Sequence, residues 1–148
     1  MGLRAPLRLL PGRCKTPGMA FDESATTGGF APCFPVRDMR AALAHYAQLG
    51  FQVMPWSPGM TWAWARLGAA ELHLFVKDDH DPATTAAAAD LRIEDADEFA
   101  HRLDATSTPG TSGPYDTYYG REVVHVDPDN NLLRFVAQAP SRAGNVAR

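Results

Sequence analysis

Two stretches of this chain repeat one pattern, and the pattern leaves few folds open. Phe34-Pro-Val36-Arg-Asp38 reads apolar-x-apolar-x-Asp and leads into Met39 to Gly50, where apolar positions recur at helical spacing. Leu91-Arg-Ile93-Glu-Asp95 has the same form and leads into Ala96 to Leu103. In each copy a period of two gives way to a period of 3.6, so a strand passes into a helix with Asp at the junction. An Asp there accepts from the free N–H groups of the helix start and faces its positive dipole end. Gly50, able to adopt a left-handed conformation, stops the first helix. Both halves also close alike, on Leu72-His-Leu-Phe75-Val76 and Leu132-Leu-Arg-Phe135-Val136. The offsets nearly agree: 95 − 38 = 57 for the Asp pair and 132 − 72 = 60 for the strands. Two copies of one supersecondary unit follow.

The remaining strands fill in each copy. Phe51 to Met54 is short and is followed by Pro55 and Pro58-Gly59. Thr61 to Leu67 alternates and puts Trp62, Trp64 and Arg66 on one face, and Gly68-Ala-Ala turns into a strand over Glu71 to Lys77. In the second copy Arg121 to Val126 is a strand, Asp127 to Asn131 a turn rich in Asx residues, and Leu132 to Ala137 the return strand. Each copy reads as β-α-β-β-β, so the class is α+β. One module spans about 30–78 and the other about 86–138. Pro82 to Ala89 links them, and its Ala run is compatible with either strand or helix. Gly113 to Gly120 is too polar and turn-rich for core and reads as a loop carrying Tyr115, Tyr118 and Tyr119.

The 148 residues are enough for one domain with a sizeable core. Residues 1–29 are rich in Pro, Gly and Arg and read as a flexible tail, with Met19 as a plausible alternative start; 139–148 read as a second tail. No stretch approaches the roughly 20 apolar residues of a membrane span. The start lacks an unbroken apolar signal segment, so the cytoplasm is the expected location. Cys14 and Cys33 lack the Cys-x-x-Cys spacing of a metal or redox site and read as reduced thiols. Cys33, inside a strand with no base near it in sequence, reads as a buried, inert thiol. A net charge of −3 argues against nucleic acid as a partner. The Gly-x-Ser-x-Gly elbow and both glycine-rich phosphate and dinucleotide motifs are missing.

Pro32-Cys-Phe-Pro-Val-Arg-Asp38 with Leu49-Gly50-Phe51, and Tyr119-Gly-Arg-Glu122 with Asp127-Pro-Asp-Asn-Asn-Leu132, resemble segments of bleomycin-resistance proteins. These belong to the glyoxalase, or vicinal-oxygen-chelate, superfamily, and the resemblance runs from about Phe30 to Gln138. It implies two tandem βαβββ modules with cup-shaped mixed sheets in a strand-exchanged homodimer, with Pro32 at the crossing point. Asn130 stands where the family has Gly; Asn tolerates the left-handed conformation such a turn needs.

Family enzymes hold a divalent metal at four equivalent strand positions. Counting from Asp38 and Asp95 puts two of these on Ala31 and Ala88, counting from Asp127-Pro-Asp puts the third on Arg134, and the repeat puts the fourth on Leu74. Ala and Leu have no donor atoms, and Arg is a fixed cation. No metal or other cofactor is therefore expected. A shift of one residue would expose the other face of a strand, and His73, His125 and Glu122 (or Glu71) form the alternative set for a metal-dependent lyase, isomerase or dioxygenase. His45, His80 and His101 read as structural or solvated. The resemblance favours a non-catalytic protein that confers antibiotic resistance by trapping a bleomycin-like or other flat, cationic toxin in clefts between subunits. Trp62, Trp64, Tyr115, Tyr118, Tyr119 and Arg121 are the expected ligand-binding residues, since aromatic faces stack on flat ligands.

Overall fold

The carboxylates of Asp38 and Asp95 begin both helices. Asp38 accepts from the backbone N–H groups of Arg40 and Ala41 at 2.8 and 3.1 Å. Asp95 accepts from those of Asp97 and Glu98 at 2.8 and 3.0 Å. The computed structural model describes residues 29–139, so the segments read as tails, and Cys14 with them, fall outside the described residues except for Gly29 and Ala139. In order, the elements are β1 (Cys33–Val36), α1 (Met39–Gln48), β2 (Gln52–Pro55), β3 (Trp62–Leu67), β4 (Ala70–Val76), β5 (Ala88–Ile93), α2 (Ala96–Thr106), β6 (Thr111–Thr117), β7 (Gly120–Val126) and β8 (Leu132–Gln138). A single 3₁₀ turn at Pro82–Thr84 lies in the linker.

Both modules have one topology. The strand orders are β1-β4-β3-β2 and β5-β8-β7-β6, and in each sheet the first strand is parallel to the last while the others are antiparallel. One expectation is corrected in part and one open point is settled. The tyrosine segment is a turn only at Tyr118 and Tyr119: residues 111–117, Tyr115 among them, are β6, paired with β7 through Ser112↔Val124 and Tyr115↔Glu122, with the register slipping between those pairs. Gly and Pro fit there because β6 is an edge strand, whose outer side needs no donor and where irregularity discourages further pairing. The linker's Ala run resolves as strand from Ala88 onward.

Alternation sorts each strand into two faces. Phe34, Val36, Ala63, Ala65, Leu72 and Leu74 of the first sheet, and Leu91, Val123, Leu133 and Phe135 of the second, are buried. They join Met39, Ala42, Tyr46 and Leu49 of α1 and Phe99, Ala100 and Leu103 of α2 in one continuous core. Phe135 meets Phe99 at 4.3 Å between ring centroids and Phe51 of the other module at 6.5 Å. The helix-covered faces thus merge, and the opposite faces of the two sheets look outward.

Polar contacts close the joint. The β7–β8 turn packs on the β1–α1 junction through Asp127, which is 5% exposed. One carboxylate oxygen accepts from the backbone N–H groups of Asp129 and Asn131 at 2.9 and 2.8 Å. The other accepts from the Tyr46 hydroxyl at 2.9 Å and the Asn131 amide at 2.8 Å. Asn131 also donates to the Pro35 carbonyl at 3.0 Å, and Arg37 reaches back to Asp129 at 2.7 Å. Asn130 takes the left-handed conformation that its place in the turn demands, with φ of 64°. Burial first, then the neighbouring Asp127, keeps the Tyr46 hydroxyl protonated far above its ordinary range. Asp127→Ala should cost about 3 kcal/mol or more in urea unfolding, because it strands several buried donors at once; Asp127→Asn, which keeps an acceptor, should cost less.

Beside this turn the imidazoles of His45 (α1) and His125 (β7) meet Nε2 to Nε2 at 2.8 Å, and His125 Nδ1 contacts the Thr111 hydroxyl at 2.9 Å. One ring must donate and the other accept, so the contact survives only while at least one of the two rings is neutral. Burial, and then repulsion from His45, pushes the His125 pKa down to about 4. Burial also lowers that of His45, against the pull of Asp127 and Asp129. A depressed folded-state value means the neutral pair contributes its stability above the ordinary histidine pKa near 6.5 and loses it as pH falls toward 4. Urea midpoints should drop between pH 6.5 and 4 by the equivalent of about 3 kcal/mol. That slope should flatten in the double variant His45→Gln, His125→Gln.

Candidate functional site

The outward face of the first sheet is a grid of aromatic and polar side chains fixed by strand register. One row runs Cys33, His73, Trp64, Met54 across β1, β4, β3 and β2. On one side of it lie Pro35, Phe75 and Trp62, and on the other Glu71, Arg66 and Gln52. Trp62 stacks on Phe75 at 5.7 Å, while Trp62 and Trp56 present their rings edgewise to His73 at 5.6 and 6.3 Å. The Arg66 guanidinium lies over Trp64, 4.4 Å from the ring centroid, and pairs with Glu71. Glu71 also contacts His73 Nε2 at 2.9 Å. The hydrogen bond from Arg66, then that from His73, holds the Glu71 carboxyl below the usual range. Trp56 and Met54 are 68% and 51% exposed, so this face offers open apolar surface.

The second sheet's outward face differs. Arg134 (β8) grips Asp90 (β5) through two contacts of 2.7 and 3.0 Å. That pairing raises the Arg134 pKa further. Tyr119 donates to Glu122 at 2.6 Å, and this hydrogen bond raises its pKa. Tyr115, across the ladder from Glu122, shares this face, and Tyr118 is exposed in the β6–β7 turn. The expected binding residues therefore fall into separate groups. Trp62 and Trp64 lie on one sheet; Tyr115 lies on the other, with Tyr118 and Tyr119 in its β6–β7 turn. Arg121 is on the helix side of β7, where its guanidinium makes two 2.9 Å contacts with Asp97 of α2 and one of 2.6 Å with Asp116. It pins the start of α2 to the sheet and does not join the aromatics.

Three further expectations are corrected by register. Leu74 faces the core, because the parallel pairs Cys33↔His73 and Asp90↔Arg134 make His73 the counterpart of Arg134. The true offset is 134 − 73 = 61, one more than the strand motifs suggest. Cys33 is exposed, not buried, and has His73 beside it on β4. The alternative set does not converge as a triad: His73 meets Glu71, but His125 is wholly buried on the core face of the other sheet and Glu122 is on the opposite face of His125's strand.

No protein-family model matches the sequence, and no curated protein matches it either. Solved structures do. A bleomycin-binding protein complexed with bleomycin is 26% identical with a TM-score of 0.65, covering 76% of this chain and all of its own. A bleomycin resistance determinant encoded on the transposon Tn5 is 25% identical with a TM-score of 0.63, covering 77% of this chain and all of its own. A glyoxalase/bleomycin resistance protein from Streptomyces sp. CB03234 is 27% identical with a TM-score of 0.53, covering 70% of this chain and 95% of its own. The chain is a bleomycin-resistance-like member of the vicinal-oxygen-chelate superfamily.

In this bleomycin-resistance-like protein the Gly120-Arg121-Glu122 motif divides its labour. A Cβ on Gly120 would collide with the Ala137 carbonyl of β8, so glycine permits the two strands to pair. Arg121 secures α2, and only Glu122 reaches the outward cup. The superfamily's metal does not fit the residues present. Ala31 and Ala88 have no donors, Arg134 brings a positive charge already committed to Asp90, and His73 stands alone as a ligand among the four positions. Among the described residues no three His, Cys, Asp or Glu side chains are grouped to hold a metal ion. Metal analysis of the purified protein should find no stoichiometric, tightly held divalent ion; one ion per chain would overturn this assignment.

Proposed function

We propose that this protein confers antibiotic resistance without catalysis, by sequestering a bleomycin-like or other flat, cationic toxin in clefts formed at a homodimer interface. The observation that carries this reading is the exposed aromatic face of the first sheet, in a chain similar over its whole fold to proteins that bind bleomycin. Trp56, Trp62 and Phe75 line a wall broad enough for stacking, and an aromatic pair contributes about 0.5–1.5 kcal/mol beyond its buried area. A single chain leaves this wall open to water, where a drug-sized ligand would keep much of its surface wet; ligand sites ordinarily enclose most of it. A second copy facing its other cup toward this one supplies the missing side, with Tyr115, Tyr118, Tyr119 and Glu122.

The start of β1 supports strand exchange at Pro32. In the second module β5 pairs with β8 from Ala88 onward, whereas β1 pairs with β4 only from Cys33, two positions later in the repeat. The chain before Pro32 leaves the sheet and borders a cavity of 370 Å³ lined by Phe30, Ala70, Glu71, Ala89 and Asp90. Phe30 is fully exposed there, as a residue that packs on a partner would be.

All three tryptophans, Trp56, Trp62 and Trp64, belong to the first sheet's outward region, so intrinsic fluorescence reports on that face alone. Titration with copper-free and copper-loaded bleomycin should quench it at micromolar ligand, and light scattering should give the mass of a dimer. Trp62→Ala should weaken binding about tenfold or more. Absence of quenching with either form would sink bleomycin as the ligand, and a monomeric mass would sink the shared cleft.

A further inference from the structure

Cys33 occupies the same place in the first module that Asp90 occupies in the second. The pairs Cys33↔His73 and Asp90↔Arg134 are register equivalents on parallel strands, and the second pair meets through its side chains at 2.7 Å. Adjacent strands lie about 4.8 Å apart, and these side chains share a face. The Cys33 thiol is exposed and donates a weak 3.8 Å contact to the Ala31 carbonyl, and strand register sets His73 opposite it on β4. His73 is oriented by Glu71, and Glu71 by Arg66. In the neutral tautomer that donates Nε2–H to Glu71, Nδ1 is left with a free lone pair. A nucleophile, a base and a carboxylate that orients the base are the parts of an activated thiol. Trp62, Trp56 and Phe75 stand beside them as an aromatic wall.

We propose that Cys33, His73 and Glu71 form a thiol–imidazole–carboxylate row with which the first cup covalently captures a flat, conjugated carbonyl electrophile. The proposal rests on the reading of this face as a ligand face, and adds the class of ligand it retains. In the step, sulfur attacks the β-carbon of the unsaturated carbonyl and an S–C bond forms. The carbon–carbon π pair moves onto the carbonyl oxygen as an enolate. The thiol proton, taken by His73, returns to the α-carbon. Nothing is oxidised and no group leaves, so one protein molecule retains one ligand molecule.

The test uses the full chain with Cys14→Ser, which leaves Cys33 as the sole thiol. N-ethylmaleimide and N-phenylmaleimide react with it at pH 7 beside a cysteine peptide, and adduct formation is followed by intact mass. Cys33 should outpace the peptide by about 100-fold, the lower end of what a positioned base contributes. His73→Gln should return it to the peptide's rate, with Glu71→Gln in between. The phenyl reagent should gain up to about tenfold more than the ethyl one, as stacking on the aromatic wall allows. His73→Asn provides a second variant should His73→Gln misfold, and thermal unfolding checks both. A Cys33 rate equal to or below the peptide's with both reagents, unchanged in the His73 variants, overturns the proposal. A rate advantage that His73 variants abolish, but with no phenyl preference, upholds the activated thiol and counts against the ligand-face reading on which it rests.

Discussion

A single buried carboxylate holds this architecture together. Asp127 collects four donors from three residues, and one of them, the Tyr46 hydroxyl, comes from the other module. A buried charge of this kind is tolerable only when fully solvated by the protein, and here the donors are supplied jointly by an Asx turn and a helix. Because Asp127 satisfies the N–H groups of the turn, and Arg37, Pro35 and Tyr46 grip that turn, the orientation of β7 and β8 follows that of α1. The outward faces, with every candidate ligand contact, inherit their positions from this joint. The sequence Asp-Pro-Asp-Asn-Asn is therefore a fastening; it supplies no side chain to the cups.

How much was legible in the sequence depended on the range of the interaction concerned. The helix starts at Asp38 and Asp95 are local, made with N–H groups two and three residues onward, and could be read from the chain directly. The repeat was equally plain, and its βαβββ order held. β6 was not legible, because a strand at a sheet edge can carry Gly113, Pro114 and polar residues that elsewhere would mark a loop. Across the sheets the limit was sharper. The β1–β4 pairing joins residues 40 positions apart (73 − 33 = 40), and nothing local to Cys33 announces His73. A single extra residue between the modules' final strands turned an apparent offset of 60 into 61, which was enough to exchange Leu74 for His73.

The two modules differ sharply in the pair of residues that faces each cup from the parallel strands. In the second cup a guanidinium and a carboxylate satisfy one another, and the pair is closed to further bonding on the Asp90 side. In the first cup the equivalent positions carry a thiol and an imidazole, neither of which completes the other's hydrogen bonding. One scaffold thus presents a self-neutralised surface on one side and an unsaturated, aromatic-walled one on the other. The asymmetry lies chiefly in side chains, since strand order is common to both modules.

The clasp also bears on how such a chain reaches its fold. The Tyr46–Asp127 and Arg37–Asp129 contacts close loops of 81 and 92 residues, so they cannot form early by local search. The first module is synthesised with an unmet tyrosine hydroxyl and an open apolar flank, and it must wait for nearly the whole second module before either is covered. Halves fastened this way leave a tyrosine hydroxyl and apolar surface uncovered until both are present. The repeat is no longer two separable units in time, however clearly it remains two in sequence.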